Sequence, residues 1–208
     1  MPLPMVHLAV ADRLTFLIEE TDQAAFFLGA ISPDAVHMRI GYRREDKNAS
    51  HLYPNGDKEQ PWAGALAHTQ TNLSKGTAFA VGYGIHLMTD ALWGKTVYQS
   101  FRQAYRADES PRQDETMAYY NDTDKLDFEL HQNLACTKPI WCLLENARAV
   151  GMAGLVSSEE VDAWRTRTLH WYDGGESQHQ NPVRYLSYDD TLRVIDESVV
   201  LISRLLRE

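Results

Sequence analysis

Apolar residues recur at spacings of three and four along most of the chain, beginning with Val6, Val10, Leu14 and Leu17. This spacing places them on one face of a helix, so residues 5–20 are predicted to form the first helix. Strand-like alternation of apolar and polar residues is nearly absent. The pattern therefore predicts an all-α fold, a multi-helix bundle of eight or nine helices.

Glycine, proline and polar runs divide the rest of the chain into further helices. Ser157-Ser158-Glu159-Glu160 is typical of a helix start, and Thr77 is expected to cap the most apolar helix. The small residues Ala80, Gly82 and Gly84 in that helix should allow close packing against neighbours. The further helices are predicted at residues 21–27, 61–73, 78–93, 95–107, 113–135, 140–150, 158–171 and 187–206.

Two segments interrupt the helical pattern. Residues 29–34 contain Pro33, which places Asp34 just after a turn or at the start of a new helix. Residues 43–60 are polar and carry a turn signal at residues 54–57. The second segment is therefore predicted to be a surface loop that holds a short helical piece around His51.

Composition indicates a single globular domain over residues 1–208, with 44% hydrophobic and 24% charged residues. The start of the chain lacks the basic segment of a signal peptide, and no apolar run is long enough to span a bilayer, so the expected location is cytoplasmic. A net charge of -9 disfavours nucleic acid and anionic lipid as partners. A small-molecule substrate remains, and the oligomeric state stays open.

The sharpest local signal is His86-Leu87-Met88-Thr89-Asp90 in the most apolar helix. Residues four apart lie on one helix face, so the His86 imidazole and the Asp90 carboxylate can chelate one metal ion. A buried carboxylate without a partner is costly, and a metal ion removes that cost. The alternative is a core histidine hydrogen-bonded to its own aspartate.

Three more residues have the chemistry of metal ligands, and each has a plainer interpretation. Asp34 follows a proline turn and could be a helix cap. His51 lies in a polar segment and could be a loop residue. His7 lies near the apolar face of the first helix and could be a half-buried helix residue.

Together these positions resemble the zinc-dependent phospholipase C family over residues 5–95. The most recognisable parts are a Leu-Gly-x-x-x-Pro-Asp turn and a Gly-x-x-x-His-x-x-x-Asp helix. The resemblance implies an all-helical bundle with metal ions held between helices, and a hydrolase that acts on phosphoesters. The segments that carry it are His7, Phe27-Leu28-Gly29-Ala30-Ile31-Ser32-Pro33-Asp34, Ser50-His51 and Gly82-Tyr83-Gly84-Ile85-His86-Leu87-Met88-Thr89-Asp90.

The same resemblance implies the roles of individual ligands. It makes Asp34, His51, His86 and Asp90 the ligands of one zinc ion, with Asp90 as a bridge to a second ion that His7 would bind. Secreted family members complete the second site with the amino terminus of the mature chain, but here Met1 precedes His7 by six residues. We therefore expect one divalent ion, with two as the alternative.

The third zinc ion of those enzymes needs a downstream cluster of two histidines and a glutamate. The nearest candidates here are His131, Trp141 and Glu145, which include only one histidine. Three ions are therefore not expected.

Four further residues are candidates for a supporting role. Lys47 shares a helix face with His51 and could hold an anionic group, or it could be a solvated lysine. Tyr120, Asp124 and Asp127 share one face of another helix. They could line the pocket, orient ligand imidazoles, or simply form an acidic surface.

These observations predict a metal-dependent hydrolase in which Asp34 is both ligand and general base. An HD-type phosphohydrolase is one alternative, although its adjacent His-Asp pair does not occur in this sequence. A binding domain with a closed structural metal site is another. The His-Glu-x-x-His motif of zinc proteases is absent.

Overall fold

Helices and short turns make up the protein in the computed structural model, which describes residues 3–53, 61–175 and 182–207. No β-strand occurs in these ranges, so the all-α prediction is confirmed. The turn predicted at residues 54–57 lies outside them. The helices are α1 (Pro4–Asp12), α2 (Gln23–Ile31), α3 (Arg44–Ser50), α4 (Pro61–Ser74), α5 (Ala78–Lys95), α6 (Val97–Ala107), α7 (Glu115–Asn133), α8 (Thr137–Asn146), α9 (Ser158–Leu169) and α10 (Tyr188–Leu205).

The first two helices differ from the predicted ones. Helix α1 ends at Asp12 rather than at residue 20, because the Thr15 hydroxyl donates to the Asp12 carbonyl (2.9 Å) and competes with the helical bond. Helix α2 continues through Gly29 to Ile31, so the break falls at Ser32. A 3₁₀ helix, Ser32–Met38, follows and places Asp34 in its first turn, as expected.

The predicted helix caps have different outcomes. The Ser157 hydroxyl accepts from the backbone of Glu160, and the Glu160 carboxylate accepts from the backbone of Ser157, which confirms the start of α9. Thr77 makes no capping bond with its side chain, so that prediction is wrong. Helix α5 begins there because its apolar residues are buried against α2 and α4, not because a cap starts it.

The core is built around helices that are buried on every side. All residues of α1 from Pro4 to Ala11 are buried, as are those of α5 from Ala78 to Ala91. Helices α2 and α4 pack against α5, and α10 covers α1. No helix within the described ranges is both long and apolar enough to cross a membrane.

Helices α2 and α5 cross with their backbones in direct contact. A Cβ atom added at Gly29 would collide with the Phe79 carbonyl oxygen, and one added at Gly82 would collide with the Phe26 carbonyl oxygen. Glycine is required at both positions because only a hydrogen fits between the two backbones. The predicted close packing at Gly82 is thus confirmed, and it lies one helical turn before His86.

The start of α1 is held by a distant carboxylate. Asp127 of α7 accepts a hydrogen bond from the Met5 backbone N–H (2.9 Å) and another from the Tyr172 hydroxyl. Leu3, the residue just before α1, provides no capping side chain, so Asp127 satisfies one of the free backbone amides at the start of the helix. Burial raises the pKa of Asp127 to about 7. This bond fixes the position of the helix that carries His7.

Arg39 ties the 3₁₀ helix Ser32–Met38 to two neighbouring helices. Its guanidinium donates to both carboxylate oxygens of Glu160 in α9 (2.7 and 3.1 Å) and to Asp46 in α3 (2.9 Å). It also donates to the Leu155 carbonyl oxygen (2.8 Å). The segment that carries Asp34 is therefore anchored to α3 and α9.

We expect Gly82→Ala to lower the free energy of unfolding by about 2–3 kcal/mol, because the added methyl group forces two backbones apart. Urea denaturation followed by circular dichroism would measure this loss. The matched control is Gly94→Ala in the same helix, where an added Cβ meets no atom within 4 Å. That variant should gain up to about 1 kcal/mol from the higher helix propensity of alanine. Equal stability of the two variants would contradict the crossing geometry.

We expect Asp127→Asn to remove part of the pH dependence of stability. Because the pKa of Asp127 in the folded protein is about 7, above its usual value, the folded state keeps this proton longer than the unfolded state as pH rises. Between about pH 4 and pH 7, the free energy of unfolding of the parent should therefore fall by about 2–4 kcal/mol relative to that of Asp127→Asn. Urea denaturation across this range tests it, and parallel pH curves for the two proteins would contradict it.

Candidate metal centre

Five buried side chains converge at the centre of the bundle. They are His7 from α1, Asp34 from the 3₁₀ helix, His51 just after α3, and His86 and Asp90 from α5, none of them more than 7% exposed. Their ligand atoms form two overlapping groups that share His86, and within each group the atoms lie within 4.8 Å of one another. The described residues therefore include buried histidines and aspartates that could hold a metal ion.

His86 is oriented by the crossing of α2 and α5. Its Nδ1 lies 2.8 Å from the Ala30 carbonyl oxygen, which can only accept, so Nδ1 must carry the proton. The lone pair on Nε2 then faces Asp34 Oδ2 and Asp90 Oδ2, each 3.9 Å away. These distances are too long for hydrogen bonds. The plainer interpretation, a histidine hydrogen-bonded to its own Asp90, is therefore wrong.

His51 is oriented in the same way from the opposite side. Its Nδ1 lies 3.1 Å from the Lys47 carbonyl oxygen and 2.9 Å from the Ser50 hydroxyl. Its Nε2 lies 3.5 Å from Asp34 Oδ1 and 3.4 Å from Asp90 Oδ2. Holding one ring nitrogen by a backbone carbonyl is the usual way to present the other nitrogen to a metal ion.

His7 completes the cluster from α1. Its ring stacks on that of His86, with centroids 3.7 Å apart and planes 7° apart, and its Nε2 lies 3.5 Å from Asp90 Oδ1. Burial and the neighbouring His86 lower the pKa of His7 to about 3. A neutral imidazole with this orientation can bind a cation through Nε2.

The cluster brings together buried polar atoms that the described residues do not satisfy. The Nε2 atoms of His7, His51 and His86 and both carboxylate oxygens of Asp90 are buried without a hydrogen-bond partner in the described ranges. The nitrogen–oxygen distances across the centre are 3.4–3.9 Å. Two ligands bound tetrahedrally to zinc at roughly 2.1 Å lie about 3.4 Å apart. The spacing therefore suits a small cation.

The electrostatics of the centre also favour positive charge. Burial opposes ionisation of Asp34 and Asp90, but Lys47 and the histidines outweigh it and hold the pKa of both carboxyls below the usual range. Burial likewise opposes a charged His51, yet the two carboxylates raise the pKa of that imidazole. The two carboxylates thus bring negative charge into the centre and attract a proton or a metal ion.

One side of the centre is more open than the others. The Lys47 ammonium lies 3.3 Å from Asp34 Oδ1, and the His37 Nε2 lies 3.7 Å from the same atom. Their side chains are 17% and 29% exposed, whereas those of His51, His86 and Asp90 are at most 3% exposed. Asp34, whose side chain is 10% exposed, is therefore the residue of the cluster nearest to solvent on this side, and Lys47 belongs to the site rather than to the solvated surface.

His37 was not predicted from the sequence as a site residue. In a 3₁₀ helix, residues three apart lie directly above one another, so His37 falls on the face of Asp34. The sequence signal is the spacing Asp-x-x-His, which places both side chains on one face if the segment is helical.

The predicted supporting face of α7 does not serve the centre. Tyr120 is 50% exposed, and the carboxylate of Asp127 binds the Met5 backbone and Tyr172 instead of an imidazole. Asp124 is half-buried, and burial raises its pKa to about 6. Within the described residues, none of these three side chains makes a hydrogen bond or an ion pair with the cluster. The same holds for His131, which stacks on Tyr172.

A comparison of the chain with protein-family models, with curated proteins and with solved structures finds no match. The function of the centre therefore has to be inferred from its own residues.

We expect the purified protein to bind close to one equivalent of zinc, and Asp90→Asn and His86→Ala to weaken that binding more than about 100-fold. Loss of a residue that merely orients a ligand usually weakens metal binding 10–100-fold, and loss of a ligand should cost more. Competition with a chelating dye of known zinc affinity would measure the change.

His68→Ala is the matched control for His86→Ala. His68 is a half-buried helical histidine that lies 3.0 Å from the Ala80 carbonyl oxygen and is outside the cluster. Zinc affinity should stay at the level of the parent in this variant. Unchanged affinity in both Asp90→Asn and His86→Ala would contradict a metal centre. A loss in His7→Ala as large as in those two variants would make His7 a direct ligand.

Proposed function

We propose that this protein is a metal-dependent hydrolase, with zinc held by His51, His86, Asp34 and Asp90. The observation that carries the proposal is the set of buried imidazole nitrogens and Asp90 oxygens that face one another without hydrogen-bond partners. Imidazole and carboxylate ligands suit zinc, and a cation removes the repulsion between these acceptors. His7 adds a further nitrogen, so a second ion remains the alternative.

When bound, zinc supplies a water of lowered pKa and polarises a phosphoryl oxygen. The residues of the protein supply the rest of the chemistry. His51, His86 and Asp90 would hold the ion. Their side chains are almost fully buried, so bulk water is excluded from this part of the centre. Asp34 stands at the open side, where its carboxylate can accept a hydrogen bond from an attacking water.

The pKa of Asp34 bears on its role as the predicted base. Burial opposes ionisation, but the Lys47 ammonium holds the pKa of this carboxyl well below its usual range. Such a carboxylate is a weak base, because catalysis is most effective when the pKa lies near the working pH. We therefore propose that Asp34 holds the metal and orients the attacking water, and that it does not act as the general base that takes the proton of this water.

A phosphoester substrate is the part of the proposal that rests on resemblance. The order and spacing of His7, Asp34, His51, His86 and Asp90 resemble those of the zinc-dependent phospholipase C family. These five residues converge in one cluster, which supports the resemblance, because a shared metal centre would explain their order and spacing along the chain. Fold and ligand order alone do not define a substrate, so the phosphoester remains a proposal.

The openness of the centre favours an enzyme over a closed metal-binding domain. Structural zinc sites have all their positions filled by protein ligands and are enclosed, whereas catalytic sites keep an open position. Here the partly exposed side chains of His37 and Lys47 lie against Asp34, which is therefore the proposed ligand nearest to solvent. An HD-type phosphohydrolase is disfavoured because the ligand pair is His86-x-x-x-Asp90 rather than adjacent residues.

We expect zinc-loaded protein to hydrolyse a phosphomonoester or phosphodiester slowly, and a strong chelator to abolish the activity. Asp34→Asn should lower kcat at least about 100-fold, since it removes charge beside the reacting water. Release of p-nitrophenol from aryl phosphates would measure both effects. Asp124→Asn, which changes a half-buried carboxylate outside the cluster, should leave kcat within twofold of the parent as the control. Absence of turnover on a wide panel of esters, with zinc bound, would favour the binding domain.

A further inference from the structure

The Tyr83 hydroxyl joins the helix that carries His86 and Asp90 to the segment that carries His51. Tyr83 lies in α5, three residues before His86, and is fully buried. Its hydroxyl donates a hydrogen bond to the Ser50 carbonyl oxygen (2.6 Å), a contact across 33 positions of the chain. Ser50 is the last residue of α3, and His51 follows it directly. This hydrogen bond therefore connects the backbone beside one proposed ligand to the helix that carries two others.

The bond between Tyr83 and Ser50 matters because α3 and α5 share little other contact. Among the described residues, the backbone of α3 packs against the 3₁₀ helix Ser32–Met38 and makes little contact with α5. His51 nevertheless has to bring its Nε2 to within 3.4 Å of Asp90 Oδ2, an atom that α5 positions. The Tyr83 hydroxyl supplies the missing link between the two helices.

The Ser50 side chain acts on the His51 ring itself. The Lys47 carbonyl oxygen lies 3.1 Å from His51 Nδ1 and can only accept, so Nδ1 carries the proton. The buried Ser50 hydroxyl donates to that same carbonyl oxygen (3.1 Å), which leaves its own oxygen free to accept from His51 Nδ1 at 2.9 Å. Two acceptors therefore hold Nδ1, and Nε2 keeps the lone pair that a metal ion requires.

The backbone directly after His51 has an uncommon conformation. Among the described residues other than glycine, Leu52 is the one with a positive φ, at 52°. The Leu52 N–H donates to the Ala49 carbonyl oxygen and the Tyr53 N–H to the Asn48 carbonyl oxygen, each at 3.0 Å. Such a left-handed residue persists only where its surroundings maintain it, and it is often found at functional sites. The chain is thus fixed on both sides of His51.

We propose that Tyr83 and Ser50 are a positioning pair that sets the place and the direction of the His51 imidazole for the metal ion. Tyr83 holds the backbone beside His51 against α5, and the Ser50 hydroxyl holds Nδ1, so that Nε2 faces the carboxylates of Asp34 and Asp90. This inference rests on the metal centre of the proposed function. Both residues act through His51, and neither belongs to the groups of ligand atoms.

Tyr83→Phe removes the hydroxyl and keeps the buried ring. The Ser50 carbonyl oxygen then loses its donor, and we expect the zinc Kd to rise about tenfold, the lower end of the effect of residues that orient a ligand. Ser50→Ala should raise the zinc Kd by a smaller factor, because the Lys47 carbonyl oxygen still holds His51 Nδ1. Competition with a chelating dye measures both values on the full chain, and circular dichroism checks that each variant is folded.

Tyr105→Phe is the matched control for Tyr83→Phe. The Tyr105 hydroxyl of α6 also donates to a backbone carbonyl oxygen, that of Gln113 (2.9 Å), and the residue lies outside the metal-binding cluster. Its zinc Kd should equal that of the parent. A rise as large as that in Tyr83→Phe would overturn the proposal, because a remote hydroxyl would then have the same effect.

A double-mutant cycle separates positioning from a general loss of stability. In a His51→Ala background, Tyr83→Phe should change the zinc Kd by less than about twofold, because the residue through which it acts is absent. A rise by the same factor in both backgrounds, or an unchanged Kd of the single variant Tyr83→Phe, overturns the proposal. If Tyr83→Phe does not fold, the same cycle with Ser50→Ala decides between these outcomes.

The positioning pair and the hydrolase fail separately. Hydrolysis of esters by zinc-loaded protein, with the zinc Kd of the parent in Tyr83→Phe, keeps the hydrolase and removes the positioning pair. Zinc binding that Tyr83→Phe weakens only while His51 is present, without hydrolysis of any ester, keeps the pair and removes the hydrolase. A parent protein that binds no zinc removes both.

Discussion

The backbone contact between α2 and α5 is the constraint on which the rest of the molecule depends. Gly29 and Gly82 let two helices touch where any side chain would collide with a carbonyl oxygen. That contact brings the Ala30 carbonyl oxygen within 2.8 Å of His86 Nδ1 and so directs Nε2 toward the carboxylates. The contact lies close to the end of α2 at Ile31, and the 3₁₀ helix with Asp34 begins directly after it. One helix crossing thus positions ligands from two chain segments.

A second physical feature is the mismatch of donors and acceptors in the interior. A protein core usually satisfies its buried polar atoms, and six nitrogen and oxygen atoms of this cluster have no hydrogen-bond partner among the described residues. Their backbone supports leave them no freedom to turn away, since His86 and His51 are each held through Nδ1. The surrounding helices provide the stability that keeps such an arrangement assembled, because their apolar packing is independent of the centre.

The residues that could be predicted from the sequence are those whose role depends on local spacing. The pair His86 and Asp90 follows from helix periodicity alone, and Asp34 follows from the proline turn. His37 was not predicted, because its place on the face of Asp34 requires a helical turn after Pro33, and the sequence left open whether Asp34 follows a turn or starts a helix. Asp127 was misinterpreted for a related reason: its partner is the backbone of Met5, a contact across 122 positions of the chain. Helix periodicity indicates which side chains share a face, but not what that face meets.

The four bonds of Arg39 have a consequence for the exchange of the ion. The side chains of His51, His86 and Asp90 are at most 3% exposed, so in the proposed metal centre an ion would enter and leave past Asp34, whose side chain is 10% exposed. The 3₁₀ helix that carries Asp34 can swing outward only if Arg39 releases Glu160, Asp46 and the Leu155 carbonyl oxygen. In the proposed metal centre, outward movement of Asp34 would therefore require a salt-bridge network on the outside of the bundle to open, and that network would slow the release of an ion.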